Sequence, residues 1–193
     1  MAQTKNERLS FHAIVRKWCR TYKYMRDSER NRRFYLTSSR EGLVEMAKNI
    51  KPALSPIVMM ESVVEGGGPI RRPERIYPVY FFVRASKMAD GDAAAVAYEE
   101  AWMHCRNFLT WLIKKHEEEL ETNIDGSFAR IDLDNAYLDF VSTDPKEDGW
   151  LGVMVQFSRE EPLDLCIDED LYVSEDSSES SSGSSENPSA SSD

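Results

Sequence analysis

Apolar residues in "LSFHAIVRKWCRTYKYM" fall at Phe11, Ile14, Val15, Trp18, Cys19 and Tyr22. Those spacings line one face of a helix, predicted over residues 9–25. Arg16, Lys17, Arg20 and Lys23 fall largely on the other faces, so the helix is basic and amphipathic, and its apolar side is expected to pack on the domain. "RRFYLTSSREGLVEMAKNIKPAL" reads as a short strand, a serine cap at Ser38 or Ser39, and a short helix through Ile50 that Pro52 stops. The β-branched run "SPIVMMESVVE" reads as a strand.

The longest periodic stretch runs from Asp90 to Glu121. Ala94, Ala97, Tyr98, Ala101, Trp102, Cys105, Phe108, Leu109 and Leu112 form one stripe there, and Asp90 or Asp92 supplies the cap. At ~1.5 Å per residue such a helix is about 45 Å long, so its charged last turns are expected to project past the sheet. "SFARIDLDNAYLDFVST" alternates and then starts a second apolar run, "PKEDG" is a turn, and "WLGVMVQFSRE" places Leu151, Val153, Val155 and Phe157 on one strand face.

Between the strands stands "EGGGPIRRPERIYPVYFFVRAS". A Walker-type phosphate loop ends in GK[ST] and leads into a helix, and a dinucleotide turn opens a helix through GxGxxG. Here three prolines follow the glycines and the chain enters the strand "VYFFVRAS", so the helix N-terminus that would hold a phosphate is missing. The segment reads as a long mobile hairpin arm that exposes Arg71, Arg72 and Arg75.

The elements compose an α+β fold: a mainly antiparallel sheet, one long helix packed across it, an amino-terminal helix and a disordered acidic Ser-rich tail. The predicted organisation is a helical, basic part over 1–52 packed on the core, an α+β core over 53–172, and a tail over 173–193. In "SEDSSESSSGSSENPSASSD" 11 of 20 residues are serine and none is basic, which cannot offset the entropy of ordering by burial. The flank "DLCIDEDLYV" keeps enough apolar residues to form a last strand or to dock on a partner.

The net charge of −10 is unevenly spread: residues 1–51 carry 13 Lys or Arg against 5 Asp or Glu, while residues 87–193 carry 7 against 26. Opposite charge at the two ends of one chain attracts within a molecule or between copies, more strongly at low ionic strength. Cys19, Cys105 and Cys166 lack CxxC spacing and read as reduced thiols. No run approaches the ~20 apolar residues of a bilayer span, and the amino terminus lacks the pattern of a secretion signal, so an intracellular protein is expected.

Candidate chemistry is sparse. His12, His104 and His116 lie on predicted helices without metal-site spacing, and His104 reads as a helix-face residue. Asp132 and Asp134 share a predicted strand face, as an ion site or acid–base pair requires, although such a face is more often simply wet. "DLCIDED" lacks the glycine turn and final Glu of a calcium loop. No GxSxG and no activated cysteine occurs. The expectation is therefore a protein that is not an enzyme, with no catalytic, cofactor or metal residues and no small-molecule substrate. The patch "RDSERNRRFYLTSSR" suits phosphates and base stacking, but the overall acidity makes nucleic-acid contact the less favoured use.

The order of elements carried by "PIVMMESVVEGGGPIRRPERIYPVYFFVRA", "DAAAVAYEEAWMHCRNFLTWL" and "GWLGVMVQFSR" resembles that of phage tail terminator and related head-to-tail or minor tail proteins. The likeness is one of layout over Pro56 to Arg159. It implies a ring-forming structural subunit of a virion, assembled in the host cytoplasm, whose partners are copies of itself and other virion proteins. Pro69, Ile70, Arg71, Arg72 and Arg75 are then the interface candidates. The serine-rich extension departs from the family's layout. The rival expectation is a monomeric cytoplasmic adaptor whose acidic tail recruits a partner under control of phosphorylation.

Overall fold

A computed structural model describes residues 10–62, 66–67, 74–85, 90–122, 126–143 and 149–160. The chain divides after Pro162 into two units, and every described residue belongs to the first. The serine-rich stretch and "DLCIDEDLYV" lie outside the described residues. The elements in chain order are α1 (Phe11–Thr21), β1 (Phe34–Thr37), α2 (Arg40–Asn49), β2 (Ile57–Glu61), β3 (Gly66–Gly67), β4 (Glu74–Arg84), α3 (Gly91–Glu121), β5 (Ile131–Ser142) and β6 (Trp150–Glu160), with a 3-10 turn at Pro52–Leu54. The fold is α+β, as expected. The sheet runs β1-β2-β4-β6-β5; only the β1–β2 pair is parallel, and β3 pairs with β4.

The caps explain where the helices begin. Ser39 Oγ accepts from Gly42 N at 3.1 Å, and Asp90 accepts from the amides of Asp92 and Ala93, each satisfying donors that the first helical turn leaves open. Helix α1 is shorter than expected and stops at Thr21. Tyr22 leaves the helical backbone with ψ at 123° while its amide still donates to Trp18 O, and the turn that follows carries Arg26 at a left-handed φ of 48°.

Both sheet faces are packed, unequally. Helices α1 and α3 lie on one face, where Phe11, Trp18, Phe81, Phe108, Val153 and Phe157 belong to a single buried cluster. Trp18 meets Phe81 and Phe108 edge-on at centroid distances of 5.8 and 5.3 Å. Each such ring contributes on the order of 1.5–3 kcal/mol by leaving water. Helix α2 covers only part of the other face, over Tyr35, Ile57, Met59, Phe82 and Trp150. Trp150 Nε1 donates to Ala47 O at 2.9 Å and ties β6 to that helix. Gly152 is obligatory for a different reason: a Cβ there would lie 2.3 Å from Phe81 O.

Strand β4 begins at Glu74, within what the sequence suggested was arm, and runs through Pro78. Ladder parity explains the tolerance. Thr143 N donates to Trp150 O and Ala85 N to Gly149 O, so odd residues of β4 bond toward β6 while 78, 80, 82 and 84 face β2. The last β2 residue in that ladder is Met60, opposite Val79. The amide that Pro78 lacks therefore falls where no strand asks for it.

The last turns of α3 are exposed but not free of the domain. Glu119 Oε2 accepts from Phe128 N at 2.7 Å and Ala129 N at 3.0 Å, and Trp111 meets the Phe128 ring edge-on. The expected projection past the sheet is thus a tethered one.

Candidate interaction surface

Gly66 and Gly67 pair with Arg75 and Glu74, beyond the point where β2 stops pairing with β4, while Arg159 and Glu160 of β6 pair with the same two β4 residues, so β3 takes the place of β2 beside the first residues of β4. A Cβ on Gly66 would sit 2.7 Å from Glu74 O, which makes glycine the residue for this close approach. Arg75 is exposed on β4, opposite Gly66 on one side and Arg159 on the other. Pro69, Ile70, Arg71 and Arg72 lie outside the described residues.

Beside this pairing, the sheet face not covered by α2 is half-exposed at Ile76, Pro78, Met154, Gln156 and Ser158. Tyr80 Oη donates to Glu61 Oε1 at 2.8 Å along the same face. The surface is a mixture of apolar and neutral polar groups, of the kind found at contacts between proteins.

The loop before β1 builds a basic rim. Asp27 is buried and accepts from Arg33 N at 2.7 Å and Phe34 N at 3.0 Å, and its own amide donates to Cys19 O. This carboxylate locks the segment between α1 and β1. Arg16 lies 3.8 Å from Asp27 and 6.0 Å from the Phe34 ring centre, while Arg32 stacks over Tyr35.

The strand pairing shifts register between Asp132 and Tyr137, which interrupts the regular alternation expected for Asp132 and Asp134. Asp132 instead caps the bulge, accepting from the amides of Asp134 and Asn135 and from Asn135 Nδ2. Those donors, the Asn135 side chain first, hold its carboxyl below the usual range. Among the described residues no group of three or more His, Cys, Asp or Glu is placed to hold a metal ion.

His104 lies on a face of α3, and that face is the buried one: the residue is 1% exposed. Its Nδ1 lies 3.2 Å from Tyr22 Oη, and Tyr22 and Tyr24 pack edgewise and tilted against the ring. Burial pushes its pKa down to about 4, so the ring is neutral near pH 7. Its signal in the sequence was its place next to Cys105 on the α3 stripe. His12 is structural too, with Nε2 2.9 Å from Glu61 O and its ring against Tyr77. Cys19 and Cys105 are buried, and burial raises both thiols, Cys105 to about 12, which leaves them unreactive.

A cleft of about 330 Å³ opens between the end of β4 and the first turns of α3. Its described lining sets Arg84, Asp92 and Glu100 around Ala93, Val96 and Ala97, with no histidine, cysteine or serine to act as base or nucleophile. Among the described residues no helix is long and apolar enough to cross a membrane. Neither a protein-family model nor a curated protein sequence matches the chain.

Proposed function

We propose that this chain is a non-enzymatic structural subunit that assembles with copies of itself into a ring, as tail terminator proteins do in a phage-like tail or neck. The observation that carries the reading is the hairpin arm. The β2–β4 hairpin is carried on by the pairing of Gly66–Gly67 with Glu74–Arg75, and beside it α2 leaves part of the sheet face half-exposed at Ile76, Pro78, Gln156 and Ser158. A hairpin extension next to a half-exposed face is what a subunit needs to hold its neighbours. The order of elements, with α1 before the hairpin, α3 across the sheet and the β5–β6 hairpin closing it, supports the same family layout. On this reading Pro69, Ile70, Arg71, Arg72 and Arg75 contact the next copy or line the ring's lumen.

Negative-stain electron microscopy of the full chain, paired with light scattering, tests the proposal. Closed rings of uniform diameter are expected at low salt. Isolated particles of subunit mass at every protein concentration would refute it.

A further inference from the structure

The two outer edges of the sheet differ in charge: β1 is uncharged but follows a basic stretch, and β5 is acidic. Among the described residues β1 pairs only with β2, and β5 only with β6, so these are the sheet's two edges. Along α1 and the loop that leads into β1, Arg16, Arg20, Lys23, Arg26, Arg30 and Arg32 are exposed against one exposed carboxylate, Glu29, while Asp27 is buried. Strand β5 carries Asp132, Asp134 and Asp139 and no Lys or Arg. Each edge also exposes apolar side chains: Leu36 (37%) on β1, Tyr137 (57%) and Phe140 (59%) on β5. Large apolar side chains standing in water beside a group of like charges mark a contact surface more often than a solvated edge.

We infer that the acidic β5 edge of one copy docks on the basic β1 edge of the next. The inference rests on the ring reading and names the surfaces that would close it. The two edges lie at opposite ends of the strand order, so a single copy cannot bring them together, whereas a head-to-tail neighbour does so by placing one sheet beside the next. The contact runs through side chains rather than through a continued backbone ladder. At β1, Phe34 N is already taken by Asp27 and Phe34 O by Arg32 Nε at 3.3 Å; at β5, Phe140 N is taken by Asp139 Oδ1 at 2.8 Å. Edges blocked in this way resist open-ended strand pairing and leave charge and aromatic fit to set the partner.

Charge-swap complementation in the full chain tests the inference, read by sedimentation velocity at low salt. Arg20→Glu with Arg30→Glu reverses the basic edge, and Asp134→Lys with Asp139→Lys reverses the acidic one; circular dichroism checks that both fold. Should Asp139→Lys unfold the chain, Asp134→Lys alone takes its place. Each variant by itself should self-associate on the order of tenfold or more weakly than the native chain. An equimolar mixture should recover association, because each variant then offers the edge that the other has lost. If native and variant chains assemble alike, or the mixture recovers nothing, the edge pairing is wrong while the ring reading stands. If the native chain stays monomeric, the ring reading itself falls. Retention of a single-stranded oligonucleotide by the native chain and the β5 variant, but not by the Arg20/Arg30 variant, with assembly unchanged in all three, would assign the basic edge to nucleic acid and overturn the inference.

Discussion

His104 shows how one side chain sets a measurable property of the whole. Its pKa falls from 6.5 to about 4 on folding because burial disfavours the imidazolium beside Tyr22 and Tyr24, with Glu100 Oε1 3.7 Å from Nε2. Above pH 6.5 the ring is neutral in both states, and its contribution to stability is fully present. Between about 6.5 and 4 the unfolded chain binds a proton that the folded chain refuses, so stability drops as pH drops, by roughly 3 kcal/mol at most. Chemical denaturation across that range should show the fall in the native chain and a shallower one in His104→Phe. Gly152→Ala is a second residue-scale prediction. The added methyl meets the Phe81 carbonyl and the Phe82 ring, and thermal melts should show a loss of roughly 1–3 kcal/mol. The sequence carried the α3 stripe well and put His104 on a helix face, but its packing against Tyr22 and Tyr24 had no local signal. It hid the fate of Asp132 as well: alternation put Asp132 and Asp134 on one face, and only the bulge reveals a capping role.

Among the elements, β1 depends on a contact that no local pattern announces. Four residues form this edge strand, and the buried Asp27 carboxylate holds its entry by two backbone amides. Asp27→Ala would leave those amides without their acceptor and should cost roughly 1–3 kcal/mol, with hydrogen exchange at Phe34 accelerating ahead of that in β4 and β6. The helices were legible from spacing and caps, as Ser39 and Asp90 show. The start of β4 was not, since the proline-rich stretch after the glycines read as arm, whereas the β2–β4 ladder ends at Met60 opposite Val79, one residue short of Pro78. The arm belongs to this scale too. Replacing Arg71, Arg72 and Arg75 by serine should weaken assembly while leaving the thermal melt within about 0.5 kcal/mol of the native chain.

At the scale of the whole molecule, the α+β class and the crossing long helix followed from element order alone. The surfaces did not, because a charge total of −10 says nothing about which strand becomes an edge. Only the order β1-β2-β4-β6-β5 sets the basic and acidic stretches on opposite sides. Deleting Ser174–Asp193 separates the ring subunit from a tail-driven adaptor: assembly is expected to survive the deletion, as measured by light scattering. The central claim, association between copies through charged surfaces, is met most directly by the molar mass of the full chain measured across a salt series. The account predicts a defined multiple of 22.2 kDa at low salt. That mass should decline as the screening length shrinks from ~10 Å at 0.1 M to ~3 Å at 1 M. A mass fixed at that of one subunit throughout the series would contradict it.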